Sequence, residues 1–139
     1  MSAACSILIV DREPTILDLL VEILTDAGYI VYTAPDGARA LAAIAHYPPA
    51  LLLLDIRRLD MNGAALIAQV RAVGSATMPI VVMTTAPLDA APLLGAGAVE
   101  CLAKPFDLDA LLACVARYVQ PDQAVAPLAS YASNSTAAA

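Results

Sequence analysis

The sequence predicts an α/β protein: a five-stranded, all-parallel sheet wound with helices on both faces. Short apolar runs alternate along the chain with stretches whose apolar residues recur at helical spacing, the signature of repeated strand–helix–strand units. One run, "ALLLLD" at 50–55, is apolar without alternation, as a central parallel strand covered on both faces has to be. A length of 139 residues suits one domain with a substantial core.

Taken in order, the first strand is "SILIV". Pro14 follows in a position suited to the first turn of a helix, where its missing N–H costs nothing. Ile16, Leu19, Leu20, Ile23 and Leu24 then form an apolar stripe, and Gly28 ends helix one. Strand two is "YIVYTA". Asp36 is the candidate N-cap of helix two, with Leu41, Ile44 and Ala45 on its inner face, and Pro48 and Pro49 stop it. Strand three is the leucine run ending at Asp55, and helix three covers about Gly63 to Val73. Strand four is "MPIVVMT". Pro87 and Pro92 flank or interrupt "LDAAPLL", so the fourth helix should be short or irregular, because an interior proline costs about 3 kcal/mol. Strand five is "AVECLA". Helix five starts near Asp107 and runs to Val119, with Leu108, Leu111, Leu112 and Val115 facing inward. Residues 1–120 thus make the domain. Residues 121–139, rich in Ala, Ser and Pro with almost no charge, read as a disordered tail or linker that holds no output domain of its own.

Composition narrows the function. A formal charge of −6 and a pI near 4.4, without a basic cluster, argue against direct nucleic-acid binding and favour protein partners. No apolar run approaches the roughly 20 residues that cross a bilayer, so no membrane association is expected. The run Ile7–Val10 is too short for a signal-peptide core and has no basic segment before it. Three widely spaced cysteines, Cys5, Cys101 and Cys114, suggest neither a disulfide framework nor zinc, and a reducing cytoplasm is the simplest compartment.

Five parallel strands of the flavodoxin-like kind take the order 2-1-3-4-5, with a switch point between strands one and three at their carboxyl ends. Asp11 closes strand one and Asp55 closes strand three, so both carboxylates belong to that crevice. Thr84, from the end of strand four, and Lys104, from the end of strand five, reach the same edge. Two acids, a hydroxyl and an amine are what a phosphoryl-accepting site needs: an attacking aspartate, an ammonium to neutralise the oxygens, and a hydrogen-bond donor.

The segments "ILIVDREP", "LLLLDIRRLDMNG", "PIVVMTT" and "KPF", in this order, resemble the receiver domain of bacterial two-component response regulators over about Ser6 to Val119. The resemblance implies that Asp55 takes a phosphoryl group from a sensor histidine kinase or phosphotransfer protein, and that Thr84 is the switch hydroxyl. It also implies that Lys104 contacts the phosphate before a commonly cis Pro105, and that Asp11, Asp55 and the carbonyl of Arg57 ligate Mg²⁺. The downstream partner is an unidentified protein. Lys104 is the only lysine in the chain, consistent with a point-charge role that arginine does not fill.

Two departures stand out. The family usually carries a second acid after the first strand, and here that position is Arg12, a cation where a cation binder belongs. Either Glu13 replaces the missing ligand, or the Arg12 guanidinium pairs with Asp55 in the metal's place. Cys101 stands three residues before Lys104, where the family usually has a tyrosine or phenylalanine whose rotamer reports phosphorylation. The thiol is too small for that lever and reads as a small buried hydrophobe.

Plainer readings compete. Asp11 alone would be a helix cap, Thr84 a strand residue, Lys104 a solvated lysine, Arg57 and Arg58 loop residues, and "GAGAVE" at 95–100 a turn. At the level of function, a phosphorylatable receiver, which is a phosphoacceptor and not an enzyme, competes with a phosphorylation-independent receiver-like interaction module. An aspartyl-phosphate phosphatase of another α/β family is disfavoured, because Arg57 stands where it would need a second acid.

Overall fold

A computed structural model describes residues 5–11, 13–56, 63–74, 77–84 and 91–119. Five parallel strands, β1 (Ser6–Val10), β2 (Ile30–Ala34), β3 (Leu51–Asp55), β4 (Ile80–Thr84) and β5 (Glu100–Ala103), line up in the order β2-β1-β3-β4-β5. Between and after them run α1 (Pro14–Asp26), α2 (Gly37–His46), α3 (Gly63–Val73), α4 (Ala91–Ala96) and α5 (Leu108–Tyr118). The predicted doubly wound architecture and strand order are therefore observed. Among the described residues no helix is long and apolar enough to cross a membrane.

Strand periodicity sorts the core into two halves, because successive side chains point to opposite faces. Ile7, Ile9, Leu51, Leu53, Val81 and Met83 pack with Leu20 and Leu24 of α1 and Leu111, Cys114 and Val115 of α5. Leu8, Val10, Leu52, Leu54, Ile80 and Val82 pack with α2, α3 and Leu93 of α4. β1, β3 and β4 are buried along their whole length, whereas the edge strands β2 and β5 are only partly covered. Fully burying one leucine or isoleucine contributes about 1.5–3 kcal/mol, so these rows supply most of the drive that holds the strand ends in place.

Local signals set the helix ends. Asp36 caps α2 by accepting the Arg39 N–H at 2.8 Å, and Asp107 caps α5 by accepting the Ala110 N–H at 2.7 Å. Gly28 follows α1 at φ 101°, a left-handed conformation that costs glycine little. The short α4 has Pro92 as its second residue, where a helix needs no backbone donor, and Gly97 turns out of it at φ 132°. "GAGAVE" is thus the end of a helix, a turn and the entry to β5.

Three inner-face expectations are corrected. Leu19 is 52% exposed and Leu108 50% exposed, and Ala45 also lies on the outer surface. The α1 and α5 stripes are narrower than the leucine pattern implied, because each helix meets only one sheet face. Two side-chain ties close the far edge. Arg71 of α3 donates to the carbonyls of Met78 and Gly97, and Glu100 of β5 accepts from Arg117 and Tyr118 of α5.

Candidate functional site

The carboxyl edge of the sheet gathers the predicted acids and the lysine. Asp11 follows β1 directly, Asp55 is the last residue of β3, Thr84 the last of β4, and Lys104 follows β5. Asp11, Asp55 and Thr84 are 0%, 1% and 3% exposed, far below what polar side chains show without a reason. The strand rows explain the meeting. Asp11 continues Ile7–Ile9, Asp55 continues Leu51–Leu53, and Lys104 continues Leu102, all on the α1–α5 face. Thr84 continues the opposite row, Ile80–Val82, towards α4.

Lys104 bridges the two acids: Nζ lies 3.3 Å from Asp11 Oδ2 and 3.2 Å from Asp55 Oδ1. Its position is fixed by the backbone, since its N–H donates to the Thr84 carbonyl at 2.6 Å and the Lys104–Pro105 peptide is cis. Asp11 serves twice. Its Oδ1 accepts the Glu13 N–H at 3.0 Å, so the expected cap-like contact before α1 coexists with the ion pair. Its own N–H donates to Ala34, and the Ile56 N–H donates to Met83, which tie both acid-bearing loops to neighbouring strands. Two buried carboxylates facing one ammonium leave this group of three with a formal charge of −1, a ready attractor for further positive charge.

Mg²⁺ is the cofactor expected at such an edge, and Asp11 and Asp55 are the described acids that would hold it. Both oxygens of Asp11 and Oδ1 of Asp55 are already engaged by Lys104 or a backbone N–H. Among the described residues there is no group of three or more acid, histidine or cysteine side chains able to hold a metal. Mg²⁺ demands near-octahedral oxygen coordination, and the chain supplies Arg12 next to Asp11 in place of another acid. Arg12, with its expected pairing to Asp55, and Arg57, with its expected ligating carbonyl, lie outside the described residues, as do Arg58 and Pro87.

Beside the lysine the surface is apolar. A groove of about 280 Å³ is lined by Ile16, Leu19 and Leu20 of α1 and by Lys104, Pro105 and Phe106. A second hollow of about 220 Å³ continues it down between α1 and α5, past Ile23, Leu108 and Leu111. Sequence reasoning missed this groove; its signal was the leucines 19 and 108, which are surplus to the core stripes. Cys101 is half-buried against the α4 side of the core, and burial followed by the Glu100 charge pushes its thiol pKa up. Cys114 is fully buried, which with the same charge pushes it up to about 11.

A buried carboxylate pair bridged by a lysine at the carboxyl edge of a 2-1-3-4-5 sheet defines a receiver-type signalling module. The chain belongs to the response regulator receiver domain family, whose sequence profile matches residues 7–116. Among curated proteins it is 39% identical over 124 residues to the transcriptional regulatory protein KdpE of Mycobacterium tuberculosis, covering 88% of this chain and 54% of that protein. It is 37% identical over 113 residues to the DNA-binding transcriptional regulator NtrC of Escherichia coli, covering 80% of this chain and 24% of that protein. The chain thus spans about half or less of the length of these relatives. Among solved structures, the chemotaxis protein CheY4 of Vibrio cholerae superposes with a TM-score of 0.76 at 30% identity, covering 83% of this chain and 98% of that one. The receiver domain of NtrX from Brucella abortus gives 0.74 at 33% identity, covering 81% and 97%.

Proposed function

We propose that this receiver module takes a phosphoryl group on Asp55 from a histidine kinase or phosphotransfer protein and signals by regulated protein contact. The supporting observation is the buried Asp55 with the Lys104 ammonium 3.2 Å away at the open edge of the sheet. In the step, the N–P bond of a partner phosphohistidine breaks and an Asp55 carboxylate oxygen forms the new O–P bond. The released imidazole keeps the electron pair. Lys104 neutralises the phosphoryl oxygens, the Thr84 hydroxyl donates a hydrogen bond to one of them, and Asp11 positions the ammonium. The half-exposed apolar rim at Leu19 and Leu108 is the surface beside the crevice on which such a partner rests its own apolar residues.

One observation favours a second reading, the phosphorylation-independent interaction module. Lys104 already compensates Asp55, and the chain carries Arg12 where a metal-binding acid belongs, so the pocket resembles a preset one. Intact-mass spectrometry after incubation with acetyl phosphate, with and without Mg²⁺, separates the two. A single phosphoryl adduct that vanishes in Asp55→Asn supports the acceptor. Absence of an adduct, under conditions that label an ordinary receiver, supports the preset module.

A further inference from the structure

We propose that the α1–α5 groove seats an amphipathic helix of a partner protein, one whose apolar stripe is bordered on both sides by lysines and arginines. The inference rests on the docking surface of the proposed function and not on phosphoryl transfer. The floor of the groove is apolar, from Ile23 and Leu111 at its lower end to Ile16 and Phe106 at its upper end, and its rim residues Leu19 and Leu108 are each about half exposed. A trough between two helices is the shape that a third helix fills with side chains at i, i+3, i+4 and i+7. α1 has 13 residues, so a partner helix laid along it has about 20 Å of support.

Charge decides which helix fits. Asp18, Glu22 and Asp26 recur every four residues and so form one row along α1, and all three are exposed. Viewed down α1 at about 100° per residue, Ile23, Ile16 and Leu20 fall to one side of Leu19 and the three acids to the other. The row is therefore the outer bank of the groove. On the opposite bank Asp107 lines the lower hollow itself, and Asp109 is exposed next to Leu108. Among the described residues no ion pair engages Asp18, Glu22, Asp26 or Asp109. Basic side chains are scarce here. No lysine, arginine or histidine occurs from Glu13 to Ala38, Arg117 of α5 is held by Glu100, and Lys104 at the upper end is committed to Asp11 and Asp55. An apolar floor between two acidic banks attracts a helix with a basic border and repels an acidic one. A second copy of this chain would bring the same acids against their own kind.

The test uses the full chain, methyl-labelled for nuclear magnetic resonance, and synthetic peptides of about 18 residues, about 27 Å long as helices. One carries a leucine stripe flanked by lysines, one the same stripe flanked by glutamates, and one the lysine composition shuffled so that no apolar face remains. The lysine-flanked helix should shift the methyls of Leu19, Leu20, Ile23 and Leu111, leave Leu66 and Val70 on the other sheet face in place, and bind at least about tenfold tighter than either control. Asp18→Asn with Glu22→Gln and Asp109→Asn should weaken it about tenfold at low salt, a difference that fades as salt is raised. Equal binding of the glutamate-flanked or shuffled peptide, shifts centred on the other face, or a triple variant that binds as tightly as wild type overturns the proposal. So do groove methyls that move when the protein alone is diluted, which would assign the groove to a second copy. Labelling of Asp55 by acetyl phosphate needs no docked protein, so it decides the acceptor reading separately.

Discussion

Replacing Lys104 by methionine is the most direct test of how the crevice is held. The substitution keeps the unbranched apolar stem and removes only the ammonium, which sits 3.2 Å from Asp55 and 3.3 Å from Asp11. At an effective dielectric constant of about 20, each contact is worth about 5 kcal/mol of attraction before desolvation is subtracted. Removing one partner of a buried pair typically costs about 3–5 kcal/mol, because the remaining charge is left without compensation. Lys104→Met should therefore destabilise the fold by about 3–4 kcal/mol at neutral pH, read as a drop in the urea midpoint by circular dichroism with unchanged slope. The second carboxylate makes the reasoning sharper. Asp55→Asn alone removes one of two acids competing for a single ammonium, and it should be close to neutral or stabilising. In the Lys104→Met background it should recover about 2 kcal/mol or more, since it removes an uncompensated buried charge. A Lys104→Met variant within about 0.5 kcal/mol of wild type, or a double variant no more stable than the single, would refute this account.

Four further outcomes follow from other parts of the molecule. Burial pushes the Glu100 carboxyl up, but hydrogen bonds from Arg117 and Tyr118 and the Arg117 charge outweigh it and hold the group below its ordinary 4.5. The stability it contributes is thus fully present above about pH 4.5 and lost as pH falls below it, so the gap between wild type and Glu100→Gln in a thermal melt should close below that pH. Gly97→Ala should cost about 1–3 kcal/mol because φ is 132°, whereas Gly95→Ala, with nothing within 4 Å of the added methyl and a helical backbone, should be neutral or stabilising by up to about 1 kcal/mol in the same urea titration. Leu53→Ala, at a fully buried position in β3, should cost about 2–5 kcal/mol in chemical denaturation. Arg12→Asp should raise Mg²⁺ affinity at least about tenfold by calorimetry, equivalent to about 1.4 kcal/mol, and an unchanged affinity would remove Arg12 from any account of the departure from the family pattern.

What could be read from residues alone divides along physical lines. The strand order, the bounds of α3 and the cap at Asp36 were legible because they rest on simple rules: unbroken apolar runs, apolar spacing, and a short polar side chain before a helix. The meeting of Asp11, Asp55 and Lys104 was legible one step later, because parallel strands share a carboxyl edge. The errors at Leu19, Leu108 and Ala45 arose where apolar character was equated with burial, although a helix–sheet–helix arrangement leaves each helix only one face to bury. The ties from Arg71 to Gly97, from Tyr29 to Val119 and from Arg117 to Glu100 were illegible, since they join residues far apart in sequence with no periodicity to betray them.

The contrast between the central and the edge strands fixes where time enters the behaviour of this domain. Asp11 and Asp55 ride on β1 and β3, whose residues are buried throughout, so their amide protons should exchange only when the whole sheet opens. β5 is half-covered and α4 spans six residues, which places them among the parts that open locally and often. Asp55 is therefore carried on a support expected to stay closed for the lifetime of the fold. Local opening should fall to the rim instead, and an exchange map should show a step in protection between β4 and β5.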